Sequence, residues 1–229
     1  MKNKPMSKWF LGGASLLIGG ALAAATMGGQ SSVAAKDAVP KGKTPITKMQ
    51  APQGKEVATL AAGCFWSMEA IFEQLKGVES VEPGYAGGTV ANPSYEKVCS
   101  ETTGHAETVN ITFDPKQISY SELLRIMLTM RDPTTLNRQG PDEGESYRSV
   151  IFTHNKKQQE TAQAMLREIA ASKIWRAPLV TPVTPFVNFY RAEDYHRDYY
   201  RLHPKAGYSE AVIAPKIVHL REKFSDKVK

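Results

Sequence analysis

The clearest hydrophobic pattern in the chain is an alternation. In residues 105–113 (HAETVNITF), Val109, Ile111 and Phe113 share one parity, with His105 and Glu107 in phase; Thr108, Asn110, Thr112 and Asp114 take the other. Period-two patterning predicts a strand with one apolar face. Residues 55–62, 78–85, 148–153 and 178–183 also read as strands. Helical spacing runs through 65–76, where Met68, Ile71, Phe72 and Leu75 fall on one side before Gly77 breaks the pattern. Ser119 and Glu122 form a capping box that opens a helix to about Met130. Asn155 caps a long helix carrying Ala162, Met165, Leu166, Ile169 and Ala170 at three- and four-residue steps. A short helix is expected around 192–202, and a Pro- and Lys-rich tail closes the chain. No internal repeat is visible. Helices are too few for a doubly wound sheet. The pattern therefore predicts an α+β fold, a two-layer α/β sandwich with a mixed sheet. Two long polar loops, 87–99 and 132–144, make one face loop-rich.

The first 35 residues read as an address. Lys2, Lys4 and Lys8 precede a Gly-, Ala- and Leu-rich apolar stretch at about 9–29, and Ser31-Ser32-Val33-Ala34-Ala35 supplies small residues for a signal peptidase. Residues 1–35 are expected to be a secretory signal cleaved after Ala35, with Ala23 as the second choice. The alternative is an uncleaved anchor, in which residues 9–29 are the only membrane contact. Either reading puts the body in the periplasm or outside the cell, secreted or anchored facing outward. Residues 36–53 read as a linker, 54–215 as the catalytic domain and 216–229 as a C-terminal tail.

Composition narrows the function classes. The 229 residues hold 29 Lys and Arg against 23 Asp and Glu, and the leader's three lysines account for half of the +6 surplus. The remainder is too mild for a nucleic-acid partner. Two cysteines exclude a disulfide-stapled scaffold. No His/Cys spacing suits a metal, and the pair His196 and His203 reads as ordinary helix polarity.

Cys64 lies between a strand and a helix, in Gly63-Cys64-Phe65-Trp66. A helix start offers free N–H groups and a positive dipole end, which lower a thiol pKa and make a nucleophile. The plain alternative is a small buried apolar residue. Glu107 shares the apolar parity of its strand, so it is aimed at the core side, where desolvation raises a carboxyl pKa and makes it a proton donor. The alternative is a strand-end Glu turned back to water. His105 reads as a hydrogen-bonding neighbour of the loop or of the substrate rather than as a base. Tyr95 and Tyr147 are phenol donors on turn-forming loops, or merely packed tyrosines.

Together these residues resemble the A-type peptide-methionine (S)-S-oxide reductases. The likeness runs through Gly63-Cys64-Phe65-Trp66, Gly84-Tyr85-Ala86-Gly87-Gly88 and Asn92-Pro93-Ser94-Tyr95-Glu96-Lys97-Val98-Cys99-Ser100. It continues with Thr103-Gly104-His105-Ala106-Glu107, Asp132-Pro133-Thr134-Thr135-Leu136-Asn137-Arg138-Gln139-Gly140, Tyr147-Arg148-Ser149 and Ala192-Glu193-Asp194-Tyr195-His196. The resemblance implies Cys64 as nucleophile, Glu107 as acid, Tyr95 and Tyr147 as ligands of the sulfoxide oxygen, and Asp142 as a further loop carboxylate. It implies Phe65 and Trp66 as walls for the substrate methyl, and the same two-layer fold. The implied substrates are oxidised proteins and peptides carrying methionine sulfoxide. No cofactor or metal is implied, only an external thiol reductant such as a thioredoxin-like protein.

One feature departs from the family pattern. Many relatives carry resolving cysteines near the C-terminus, whereas no cysteine lies beyond Cys99 here, and Ser209 stands about where one often falls. Either Cys99 or an external thiol must then resolve the oxidised Cys64, unless Cys64 and Cys99 form a structural disulfide. A thiol hydrolase pairing Cys64 with His105, and a non-catalytic module that binds oxidised proteins, are the competing readings.

Overall fold

In the computed structural model, which describes residues 44–229, the alternating segments become one six-stranded sheet. The elements in chain order are β1 (Glu56–Ala62), α1 (Phe65–Glu73), β2 (Val78–Ala86), α2 (Tyr95–Cys99), β3 (Ala106–Phe113) and α3 (Tyr120–Met130). They continue with β4 (Arg138–Gln139), β5 (Asp142–Glu143), β6 (Ser149–Thr153), α4 (Lys156–Ser172), β7 (Val183–Pro185), β8 (Phe189–Arg191), α5 (Tyr199–Leu202) and α6 (Ala214–Lys223). The sheet order is β7-β6-β1-β3-β2-β8. All pairings are antiparallel except β6 with β7, so the sheet is mixed as the pattern predicts. The leader, 1–35, and residues 36–43 of the expected linker lie outside the described residues. Among those described, no helix is long and apolar enough to cross a membrane.

Parity decides which face of the sheet each side chain meets. Ala58, Leu60 and Ala62 of β1, with Val109, Ile111 and Phe113 of β3, join one cluster with Met68, Ile71 and Phe72 of α1, Leu123 and Met127 of α3, and Ile169 of α4. The register pairs Leu60 with Val109 and Tyr85 with Glu107. Glu107 therefore faces the helical layer. The opposite face carries a smaller cluster of Ala61, Ala86, Ala106, Val150, Phe152 and Phe189, over which Ile46 packs. Ile46 also bridges Phe189, so part of the segment that reads as a linker lies against β8. The Ser119–Glu122 capping box is formed as expected, with the Glu122 carboxylate accepting the Ser119 N–H at 2.8 Å.

The ends of the chain differ from the pattern. The strand expected at 178–183 is displaced to β7, because Pro178 and Pro182 have no N–H to give to a ladder. The expected 192–202 helix is split into a 3-10 turn, Asp194–His196, and the single turn of α5. The break is at Asp198, which takes a left-handed φ of 55°. Where the sequence shows only a tail, α6 buries Ile217 and Leu220, and Val228 bridges Leu75.

This packing buries one carboxylate of α1, beside two others that are partly exposed. Glu69 is 1% exposed, and burial pushes its pKa up to about 8, with Glu73 and Asp198 adding repulsion. A carboxyl group raised above its unfolded value gives stability that is complete below that value and is lost as pH rises through the folded one. Glu69→Gln is therefore expected to raise Tm at pH 8.5 but not at pH 4. A gain of at least ~2–4 °C, the worth of ~1 kcal/mol in a domain this size, is to be read by calorimetry at both pH values.

Candidate active site

Gly63 turns the chain out of β1 with a φ of 82°. A Cβ there would run into Arg131 and Gln139, so glycine is required by both conformation and space. The turn delivers Cys64 as N-cap of α1, with its carbonyl accepting the N–H groups of Ser67 and Met68. The Cys64 residue is 6% exposed. Its thiol does not follow the expectation from the helix start. Burial, then repulsion from Glu107 and Asp142, pushes it up to about 12, outweighing the Trp66 N–H and a hydrogen bond with Tyr208. Desolvation of a thiolate exceeds what one helix end returns.

Glu107 sits directly beside this turn. Its Oε2 accepts the backbone N–H of Phe65, the residue after Cys64, at 2.9 Å. Burial is the main cause that pushes its pKa up to about 8, with the negative charges of Asp142 and Glu101 adding to it. The group therefore carries its proton at neutral pH, as its strand parity predicts. Cys64 and Glu107, 43 residues apart in sequence, thus meet at one helix start.

The loop face supplies the phenols. Tyr95 opens α2 behind the Ser94 cap, and its ring lies 6.4 Å from that of Phe65 and 4.4 Å from that of His196. Its phenol interacts with Cys99 at the other end of that helix. Tyr147 ends the 3-10 turn Glu145–Tyr147, and Glu101 holds that turn by accepting from the Ser146 N–H and hydroxyl at 2.8 and 2.7 Å. Burial and then Glu107 push both phenols above their ordinary range, and Tyr147 also feels Cys64. Asp142, on the β4–β5 hairpin, accepts the Tyr208 hydroxyl at 2.7 Å. That hairpin is fixed by the Gln139 side chain, which exchanges two hydrogen bonds with the Asp132 backbone.

Of the residues expected in the site, His105 is turned elsewhere. Its Nδ1 accepts the Gly88 N–H at 3.2 Å, and its Nε2 bonds the Val90 carbonyl at 2.8 Å. Both ring nitrogens are committed to holding the 88–90 loop, the role of a loop neighbour rather than of a base for Cys64. Cys64 and Cys99 are both free thiols, so no structural disulfide joins them.

A family model described as peptide methionine sulfoxide reductase matches residues 56–228. The chain belongs to this family. The reductase is 48% identical over 184 residues to peptide methionine sulfoxide reductase MsrA 1 of Rhodopirellula baltica, covering 80% of this chain and 95% of that one. It is 53% identical over 174 residues to the MsrA of Saccharolobus solfataricus, covering 76% and 97%. In structure it is similar to reduced Mxr1 of Saccharomyces cerevisiae, with TM-score 0.64, 32% identity, and 70% of this chain and 92% of that chain covered. The two-layer α+β reading and the enzyme class both stand.

Several side chains at the reductase's site escape sequence reasoning. His196 reads from its spacing as ordinary helix polarity, yet it is fully buried, and its Nδ1 accepts the Trp66 indole N–H at 3.1 Å. Glu193 accepts the Tyr85 hydroxyl at 2.7 Å and the Tyr95 N–H at 3.2 Å. His196 Nε2 lies 3.8 Å from the Glu193 carboxylate, which brings Trp66 and Tyr95 into one polar network. Tyr199 stacks on Trp66, with ring centroids 3.7 Å apart and planes at 7°. Tyr208 donates its hydroxyl to Asp142 and interacts with the Cys64 thiol. The sequence signal for Tyr208 is its place beside Ser209, the position where relatives often carry a cysteine.

Proposed function

We propose that Cys64 and Glu107 reduce the S epimer of methionine sulfoxide, free or in proteins, leaving Cys64 as a sulfenic acid. The supporting observation is the single helix start that holds both groups, with Glu107 protonated at neutral pH. The sulfur of Cys64 attacks the sulfoxide sulfur as an S–S bond forms, and the proton it gives up replaces the one that Glu107 passes to the oxygen. Glu107 puts its proton on the sulfoxide oxygen, and Tyr95 and Tyr147 donate hydrogen bonds to it, as an oxyanion hole does. The hydroxyl then moves to the Cys64 sulfur, the S–S bond breaks, and methionine departs with the two electrons that Cys64 has lost. This places Cys64 on the first rung of cysteine oxidation. Phe65 and Trp66 wall the methyl group, and the phenols hold the oxygen; an apolar wall opposite polar donors distinguishes the two epimers.

Recycling falls to an external thiol, such as a thioredoxin-like protein. One thiol displaces water from the sulfenic acid to give a mixed disulfide, and a second releases Cys64 as thiol. Ser209 is buried beside Tyr208 and cannot form a disulfide. Cys99 is an exposed free thiol that ends α2, and it interacts with Tyr95. Cys99→Ser is accordingly expected to keep turnover with dithiothreitol within about twofold of wild type, a surface-scale effect; inactivity of that variant would make Cys99 the resolving residue.

The leader supports a role in repairing exported proteins, with the mature domain in the periplasm, secreted or held at the outer face of the membrane. Cell fractionation with N-terminal sequencing tests this, and a cytoplasmic chain with its leader intact would overturn it. The chemistry is tested by a single turnover without thiol, followed by mass spectrometry. One methionine per chain should form from the S epimer alone, with one oxygen trapped on Cys64 by a sulfenic-acid reagent. A Cys64–Cys99 disulfide instead would overturn the recycling scheme, and equal consumption of both epimers would overturn the selectivity.

A further inference from the structure

Arg131 follows α3 and sends its side chain under the turn that carries Cys64. It is 2% exposed. Its Nε donates to the Ala62 carbonyl at 2.6 Å, and its Nη2 lies where a Cβ on Gly63 would stand. Both Nη groups are buried without a hydrogen-bond partner among the described residues. A guanidinium does not shed its charge under conditions in which the protein folds. A buried cation is tolerated only where opposite charge offsets its desolvation.

The groups whose charges act on Arg131 are, in order, Cys64, Tyr208, Asp142 and Glu107. Near neutral pH Cys64 is a thiol, Tyr208 a phenol and Glu107 an acid, which leaves Asp142 as the one negative group among them in the resting site, and it is engaged by the Tyr208 hydroxyl rather than by either Arg131 Nη. Ionisation of Cys64 supplies the missing charge.

We propose that Arg131 is a positioning residue that braces the Ala62–Gly63–Cys64 turn and supplies the positive field that stabilises the Cys64 thiolate as it forms. The inference rests on Cys64 being the nucleophile. The other groups facing Cys64 oppose this role or do not share it. Glu107 on β3 and Asp142 on β5 repel a thiolate. Tyr147, ahead of β6, and Tyr208, ahead of α6, are neutral phenols, and the Tyr208 hydroxyl is donated to Asp142. Lys216 on α6 also feels Cys64, and its Nζ donates to Ser67 Oγ at 3.3 Å. Burial and the charge of Arg131 bring Lys216 down to about 7. Above neutrality, then, Arg131 is the cation that persists.

The test is the rate constant for alkylation of Cys64 by iodoacetamide between pH 7 and 10, in a Cys99→Ser background. It reads the thiolate fraction whether or not the chain reduces a sulfoxide. Failure of this inference is therefore distinguishable from failure of the proposed reaction. Arg131→Gln keeps a donor for the Ala62 carbonyl and removes the charge; Arg131→Met is read instead if the Gln variant does not fold by near-UV circular dichroism. Either is expected to alkylate about tenfold more slowly or worse at each pH, one pKa unit being a factor of ten in thiolate. Arg131→Lys is expected to restore most of the rate. A folded Gln or Met variant with the wild-type profile would overturn the proposal. So would a Lys variant as slow as the neutral ones, since the arginine would then act through shape alone.

Discussion

Cys64→Ser is expected to form no methionine from methionine sulfoxide above the rate of the thiol reductant alone, while folding as the wild type does. The site explains both halves. The side chain is buried at the start of α1, and what fixes its position is backbone: the Gly63 turn, and the Cys64 carbonyl that accepts from Ser67 and Met68. None of that depends on sulfur. The reaction does, because it needs an atom that attacks sulfur and then holds the transferred oxygen as a sulfenic acid. A serine hydroxyl is a far weaker nucleophile at its ordinary pKa, with no base placed to activate it. His105, the nearest histidine in sequence, is occupied by Gly88 and Val90. The comparison with Cys99→Ser gives the result its force, because both variants lose one thiol and only one should lose turnover. A Cys64→Ser protein with a few per cent of wild-type activity, measured by methionine release, would remove Cys64 from the nucleophile's role.

The parts of the site that were legible in the sequence are those set by local rules. Alternation put Glu107 on the face of β3 that meets the helices, and the Ser119–Glu122 box located the start of α3. Gly63 before an apolar helical run marked the turn at Cys64. The parts that escaped are contacts between distant segments. Trp66 and His196 are 130 residues apart, Arg131 and Ala62 69, and Tyr208 and Asp142 66. No periodicity connects such positions, so each residue reads alone as polar or aromatic filler. The thiol shows a different limit. Its helix start is a local feature and was read correctly, but the direction of its pKa is set by how much water the whole fold removes. The edge strands β7 and β8 failed for a third reason. They are three residues long, too short to show a period, and prolines flank or end β7.

Glu107→Gln is the second large effect, with an expected loss of turnover of about 10²–10⁴-fold, the usual contribution of a positioned acid. Glutamine has the same length and keeps an oxygen for the Phe65 N–H, so the helix start should survive; what it lacks is a proton to give. The pH dependence makes the argument sharper. Wild-type turnover should fall as pH rises through about 8, where Glu107 loses its proton, and the residual rate of the variant should not show that step. Wild-type stability must fall over the same range. Because the folded pKa of Glu107 lies above its ordinary 4.5, its contribution is complete below that value and is lost as pH rises through about 8. The glutamine variant, neutral throughout, should therefore gain in Tm relative to wild type between pH 5 and pH 9. A substitution that destroys activity while stabilising the alkaline protein identifies a buried carboxyl kept for its proton rather than for the fold. Turnover and melting temperature measured at pH 6 and pH 9 for both proteins test this. Equal rates at pH 6, or a Tm difference that shrinks with pH, would mean that Glu107 is not the acid.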